Sequence, residues 1–254
     1  GNRRARRPRG DPGRCSRKAL RHDRADRYRE QPVPLAVRRR TRHHADRHAA
    51  GLFDMTGFTK EDVRGSQALS FLEYLCVQKI DRPIGKIVYT ALLSPNGGIE
   101  ADLTITRLGE DHFRIITGAA SGARDLAWFT SNLPDGGGVY LEDITSTYCA
   151  VGLWGPHARN ILETVCSEDI SNEAFPFGQA KSIVIGNIPA LALRVSFVGE
   201  LGWEIYTKTE FGSLLWDTLW HAVQSFGLTA CGISGYLSSL RLEKGYRMWG
   251  TDLH

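Results

Sequence analysis

Three successive strand-like runs in the middle of the chain constrain its architecture more than any other feature. Ile87–Leu93, residues 99–108 and His112–Thr117 each read as a strand, and Asn96-Gly97-Gly98 supplies a hairpin turn between the first two. Further strands are expected within 51–63, near 139–142, over 147–153, and over 181–185 and 190–198, which flank the tight-turn pair Gly186-Asn187. Helical periodicity is interleaved with them. From Ser66, a good N-cap, Leu69, Leu72 and Cys76 recur at i, i+3 and i+7. Helices are also expected over 123–132, after Gly155-Pro156, over 211–226 and near 234–244, the last stopped by Gly245. Hairpin-connected strands mixed with helices predict an α+β fold, antiparallel sheets with packed helices, rather than an alternating doubly wound one. Gly136-Gly137-Gly138 lies between a helix and a strand, so it reads as a loop and not as a dinucleotide fingerprint.

Charge divides the chain in two. Residues 1–50 hold 17 of the 32 Lys and Arg but only 5 of the 28 Asp and Glu, leaving 15 bases against 23 acids for residues 51–254. The basic character therefore belongs to the first segment and says nothing about what the rest binds. That segment's few apolar residues follow neither a helical nor a strand period, so it is expected to be an Arg-rich, disordered, solvated tail. With Tyr28 as its one aromatic residue it lacks the interleaved stacking platforms of a nucleic-acid arm. Its five acids and scarce serine argue against a transit peptide. The abrupt switch at Gly51 fits an off-frame or misplaced start, which mass spectrometry of the native N-terminus would test. The expected domains are thus 1–50, a tail of doubtful native coding, and 51–254, the globule.

Five widely spaced cysteines without a Cys-x-x-Cys pair suit buried thiols in a reducing compartment, cytoplasmic or, in a eukaryote, the mitochondrial matrix. The histidines form no metal constellation, and neither Gly-x-Ser-x-Gly nor a paired Cys/His nucleophile occurs. No apolar run is long enough to span a membrane. Metal, nucleic-acid and membrane partners are therefore not expected.

Two segments carry the candidate chemistry. In Arg194-Val-Ser-Phe-Val-Gly-Glu-Leu-Gly-Trp-Glu-Ile-Tyr206 a carboxylate, Glu200, stands between two glycines inside an aromatic, strand-forming run. In Ser239-Leu-Arg-Leu-Glu-Lys-Gly245 a guanidinium, Arg241, stands on an otherwise apolar helix turn. Taken alone, Glu200 reads as an exposed acid at a strand end. Arg241 reads as snorkelling or pairing with Glu243 or Glu204. Asp102 shares one strand face with Glu100, Thr104 and Thr106, by default a solvated polar face. Glu204, four residues beyond Glu200, is expected on the same face of the same strand, its role open.

Together these segments resemble the folate-binding signature of the aminomethyltransferase family, the T protein of the glycine cleavage system. Gly51-Leu-Phe-Asp-Met55, Phe58-x-Lys60-x-x-Val63-x-Gly65 and Phe71-Leu-x-x-Leu75 are similar to the family's opening. Gly97-Gly98-Ile-x-x-Asp102 resembles its Gly-Gly hairpin, and Gly152-x-Trp-Gly-Pro-x-Ala-Arg159 its central strand-to-helix step. Leu240-Arg-Leu-Glu-Lys-Gly-Tyr-Arg247, followed by Trp249-Gly250 and Asp252, closes the match. Val198-Gly-Glu-Leu-Gly-Trp-Glu204 looks most like the branch fused to dimethylglycine and sarcosine dehydrogenases.

The resemblance implies tetrahydrofolate as cofactor, with FAD only in an upstream domain outside this chain. It implies that Glu200 clasps the parallel donors of the pterin edge with its two oxygens, with Gly199 and Gly202 allowing close approach. It implies a catalytic Asp102 beside the reactive folate nitrogens and Arg241 on the cofactor. Tyr89, Phe197 and Trp203 are the aromatic candidates for packing on its rings. The implied function is a one-carbon transfer module forming methylene-tetrahydrofolate from an N-methyl-amine-derived donor, beside an upstream flavin domain. The alternatives are a free-standing aminomethyltransferase working with a lipoyl carrier protein, and a folate-binding protein or fragment without transfer activity. Family members continue into a C-terminal β-barrel that supplies another arginine, and with the sequence stopping at His254 that barrel is expected to be missing. The segment 118–125 departs from the family's polar pattern, so Arg124 and Asp125 receive no role.

Overall fold

The computed structural model describes residues 47–222 and 227–253. The expected Arg-rich tail lies, except for its last four residues, outside them. Eleven strands form two sheets. The first has the order β11-β1-β7-β10-β9-β8, with β1 Ala50–Asp54, β7 Tyr148–Trp154, β8 Ala180–Ile185, β9 Ile188–Leu193, β10 Gly202–Lys208 and β11 Leu228–Cys231. The second has the order β3-β4-β5-β2-β6, with β2 Thr59–Arg64, β3 Ile87–Leu93, β4 Ile99–Gly109, β5 His112–Thr117 and β6 Tyr140–Asp143. Among the described residues, helices α1 Ala68–Leu75, α2 Gly122–Ser131, α3 Ala158–Glu163 and α4 Gly212–His221 accompany the sheets. A fifth helical segment, α5, covers 233–243 and contains a π-helical stretch, Tyr236–Leu240.

Strand alternation explains the layering. In β10, Trp203 and Ile205 join a core with Leu52, Ile161, Leu162, Leu215 and Leu219, so α3 and α4 cover that face of the first sheet. In β4, Ala101, Leu103 and Ile105 join Phe71, Leu72 and Phe129, so α1 and α2 cover one face of the second. Between the sheets lies a third cluster, in which Phe53, Trp154 and Tyr206 of the first sheet and Ile87 and Ile116 of the second meet Tyr236 and Leu240 of α5. The order helices, sheet, sheet, helices confirms the expected α+β class. Every pairing is antiparallel except β1 with β11, which is parallel. No closed barrel occurs among the described residues, and no helix there is long and apolar enough to cross a membrane.

Several local expectations need correction. The run 51–63 holds two strands, not one, and they enter different sheets. Ser66 does not cap α1; Gln67 holds that position without a side-chain hydrogen bond. The strand expected over 190–198 ends at Leu193, and Arg194–Leu201 crosses the sheet end as a loop. The second half of the helix expected over 211–226 reaches residues outside the description.

Candidate functional site

That loop carries Glu200, so Glu200 and Glu204 do not share a strand face as the spacing suggested. The amides of Gly199 and Glu200 donate to Ser196 Oγ at 3.0 and 3.2 Å, folding the loop back on itself. Gly199 takes φ +76°, and a Cβ there would strike the stem of Lys244. The Lys244 ammonium lies 3.7 Å from Glu200 Oε1. The same oxygen is ion-paired to Arg47 Nη1. Among the described residues, Oε2 takes no hydrogen bond. One oxygen is thus engaged by the protein and the other takes no protein hydrogen bond. At Gly202, with φ +156°, a Cβ would run into the Leu153 carbonyl and Trp154 of the neighbouring strand, so close packing of β10 on β7 requires glycine there.

Asp102 lies on β4 facing away from the core formed by Ala101 and Leu103. The polar face it shares is not uniformly solvated: Glu100 and Asp102 are half-buried, whereas Thr106 is enclosed with an unpartnered hydroxyl. The Tyr89 hydroxyl on β3 donates to Asp102 Oδ2 at 2.9 Å, which fixes the carboxylate, and Oδ1 takes no hydrogen bond among the described residues. Partial burial, with the Asp102 charge beside it, raises the Tyr89 pKa, so this phenol stays a donor. The Tyr89 ring is 62 % exposed.

Tyr236, on the π-helical stretch of α5, packs between Phe53, Phe58, Trp154 and Phe197. Its ring centroid is 5.2 Å from that of Phe197, three residues before Glu200. Burial, with the charges of Glu204 and Asp102 adding to it, raises the Tyr236 pKa. Phe197 also stacks on Tyr246 at 6.0 Å. Tyr236, Phe197 and Tyr246 thus form an aromatic cluster beside the Glu200 loop.

Glu204 faces the same layer from β10. Burial pushes its carboxyl up to about 7, against the opposing effect of the Tyr206 hydroxyl, which donates to Oε2 at 2.6 Å. A neutral carboxylic acid at this depth avoids the cost of an unpaired buried charge.

Two expected ligands fare worse. Trp203 is fully enclosed on the opposite face of β10, packed on Phe175, and cannot reach a ring bound beside Glu204 or Asp102. Arg241 is 4 % exposed, and its partners are neither Glu243 nor Glu204. It pairs with Asp252 and donates to the carbonyls of Leu237 at 2.6 Å and Tyr246 at 2.9 Å. Nη2 alone makes no hydrogen bond among the described residues. Sequence reasoning missed Tyr236, whose only cue was an aromatic residue five positions before Arg241. It also missed Arg47, counted with the basic tail although it lies three residues before β1.

A folate fits this donor set. Glu200 Oε2 and Asp102 Oδ1 take no hydrogen bond among the described residues and would serve as acceptors for it, and Phe197, Tyr246 and Tyr89 would offer aromatic faces. No group of three or more His, Cys, Asp or Glu among the described residues could hold a metal ion. Cys76, Cys149 and Cys166 are free thiols, the last two of them buried.

The two-sheet α+β layer with helices on its outer faces has the fold of an aminomethyltransferase-type domain. Residues 13–254 match the GCVT N-terminal domain family, and the chain belongs to it. It is 35 % identical over 205 residues to mitochondrial dimethylglycine dehydrogenase of Rattus norvegicus, covering 80 % of this chain and 24 % of that one. It is 34 % identical over 212 residues to aminomethyltransferase of Bacillus cereus (strain B4264), covering 83 % and 57 %. The crystal structure of glycine cleavage system aminomethyltransferase T from Bartonella henselae superimposes with a TM-score of 0.72 at 27 % identity, covering 84 % of this chain and 55 % of that one. The chain therefore spans about a quarter of the first relative and just over half of the other two. The resemblance read from the motifs holds, and the family's members include transferase-type enzymes.

Proposed function

We propose that this domain binds tetrahydrofolate and helps transfer a one-carbon unit to it, forming methylene-tetrahydrofolate. The observation that carries the reading is the Glu200 loop, where Arg47 holds one carboxylate oxygen, the other takes no hydrogen bond, and Phe197 stacks on Tyr246 nearby, in a chain that belongs to the GCVT family. When bound, tetrahydrofolate supplies the nucleophilic nitrogens that accept the carbon. Glu200 Oε2 anchors the pterin rim, and Phe197 with Tyr246 covers a ring face. Asp102, fixed by Tyr89, holds a negative charge where positive charge develops on the accepting nitrogen and takes up its proton. Arg241, locked by Asp252, offers at most Nη2.

The donor we favour is an N-methyl amine oxidised by a flavin domain elsewhere in the same polypeptide, because the Glu200 wording and the dimethylglycine dehydrogenase relative agree. Tetrahydrofolate is then captured in place, before the carbon escapes as formaldehyde. The aminomethyltransferase relative supports a second reading, an aminomethyl donor on a lipoyl carrier. The test mixes the chain with a flavin dehydrogenase acting on an N-methyl amine and partitions the carbon between methylene-tetrahydrofolate and free formaldehyde. Asp102→Asn is expected to slow transfer by roughly 10²–10⁴-fold, the range for a positioned acid–base group. Wild-type transfer rates in a folded Asp102→Asn protein would refute the role of Asp102.

A further inference from the structure

We infer that Arg47, in the segment preceding β1, is a positioning residue for folate binding, acting through Glu200; the inference rests on the reading above. The guanidinium is 14 % exposed and spreads its donors over four acceptors. Nη1 serves Glu200 Oε1 and the Val198 carbonyl, the latter at 3.0 Å. Nη2 donates to the Leu240 carbonyl at 3.0 Å, and Nε to Glu243 Oε2 at 2.9 Å. One planar group thus ties the Glu200 loop to both the middle and the end of α5. Burial works against its charge, but the hydrogen bonds and charges of Glu200 and Glu243 outweigh that and raise its pKa.

The contact has a directional consequence. A carboxylate at a loop tip rotates freely about its side-chain bonds, and freezing it on ligand binding costs free energy. With Oε1 already committed to Arg47, Oε2 is presented in one orientation. Arg47 and the pterin rim do not compete for the same oxygen; Arg47 sets which oxygen remains. Lysine cannot substitute, because an ammonium is a single point of charge and lacks the planar fork that reaches Glu200, Val198, Leu240 and Glu243 together.

The test is a double-mutant cycle on the full chain, read by calorimetric titration with tetrahydrofolate and by thermal melting. Arg47→Ala is expected to raise Kd by about 10- to 100-fold, the scale of one charge-assisted hydrogen bond. The transfer rate at saturating folate should move by less than about threefold, the pattern of a binding rather than a transition-state defect. In an Glu200→Ala background the Arg47→Ala loss should vanish, and methylguanidinium should partly restore folate affinity to Arg47→Ala alone. If Arg47→Ala lacks a cooperative melt, Arg47→Lys carries the test, with a wild-type melt and several-fold weaker binding expected. Wild-type affinity in a folded Arg47→Ala or Arg47→Lys protein would overturn the inference, as would losses that simply add in the double variant. If folded wild-type protein binds no tetrahydrofolate, the proposed function fails and takes this inference with it. If only Glu200→Ala loses affinity, the function stands and the Arg47 assignment alone falls.

Discussion

Glu61, on β2 beneath α2, carries a stability penalty that can be dialled by pH. Its side chain is fully enclosed, and neither carboxylate oxygen has a hydrogen-bond partner. Burial, with Asp125 and Asp143 close enough to repel it, pushes its carboxyl from the ordinary 4.5 up to about 7. The folded state therefore holds a proton that the unfolded chain releases between those two values. Stability contributed by this group is present in full below pH 4.5 and is lost as pH rises toward 7. At 1.36 kcal/mol per unit the loss is about 3 kcal/mol above pH 8, a large share of a typical domain's net stability. Glu61→Gln replaces the acid by a neutral group of nearly the same shape and removes the proton-linked part. Urea unfolding of both proteins should give similar free energies near pH 5. At pH 8 the variant should be more stable by roughly 2–3 kcal/mol, with unchanged m-values. A variant less stable than wild type at pH 8 would refute the reasoning, since it would mean that an ionised, stabilised Glu61 had been lost.

Other features of the two sheets give further tests. Asp62, also on β2 but facing the other way, is buried, with Arg114 Nε at 2.8 Å and His112 Nε2 at 2.9 Å. Burial alone would raise its pKa, but His112 and Arg114 hold it well below the usual carboxylate range. Asp62→Asn leaves the Arg114 charge buried without its partner and should cost about 3–5 kcal/mol, read as a lower melting temperature at neutral pH. Gly202→Ala should cost roughly 3 kcal/mol or more, because strained backbone and overpacking against Leu153 combine. A Gly202→Ala protein that melts like wild type would show that β7 and β10 can separate there.

Much of this organisation was legible in the sequence for physical reasons. The β3–β4 hairpin was readable because its turn chemistry is local: Gly97 takes φ +81°, which the Asn-Gly-Gly run permits. The runs Ile87–Leu93 and His112–Thr117 kept their bounds because one face of each is apolar. What failed depended on distant partners. The apolar, aromatic run around Val195–Phe197 looked like a continued strand. It is a loop whose backbone finds partners outside the sheet, the Val195 carbonyl accepting from Trp154 Nε1 at 2.8 Å. Trp203 could not be assigned to a face until β10 was placed between β7 and β9. Arg47 was hidden by its neighbours, since a composition average over 50 residues cannot single out one arginine that meets an acid 153 positions later.

Calorimetric titration of the intact chain with tetrahydrofolate, wild type against Glu200→Gln, bears most directly on the central claim. The account predicts saturable one-to-one binding by wild type and a loss of about 10- to 100-fold in Glu200→Gln, the worth of one charged acceptor, with the melting transition retained. Equal affinity in the two folded proteins would contradict it, as would the absence of any binding heat from wild type across several temperatures.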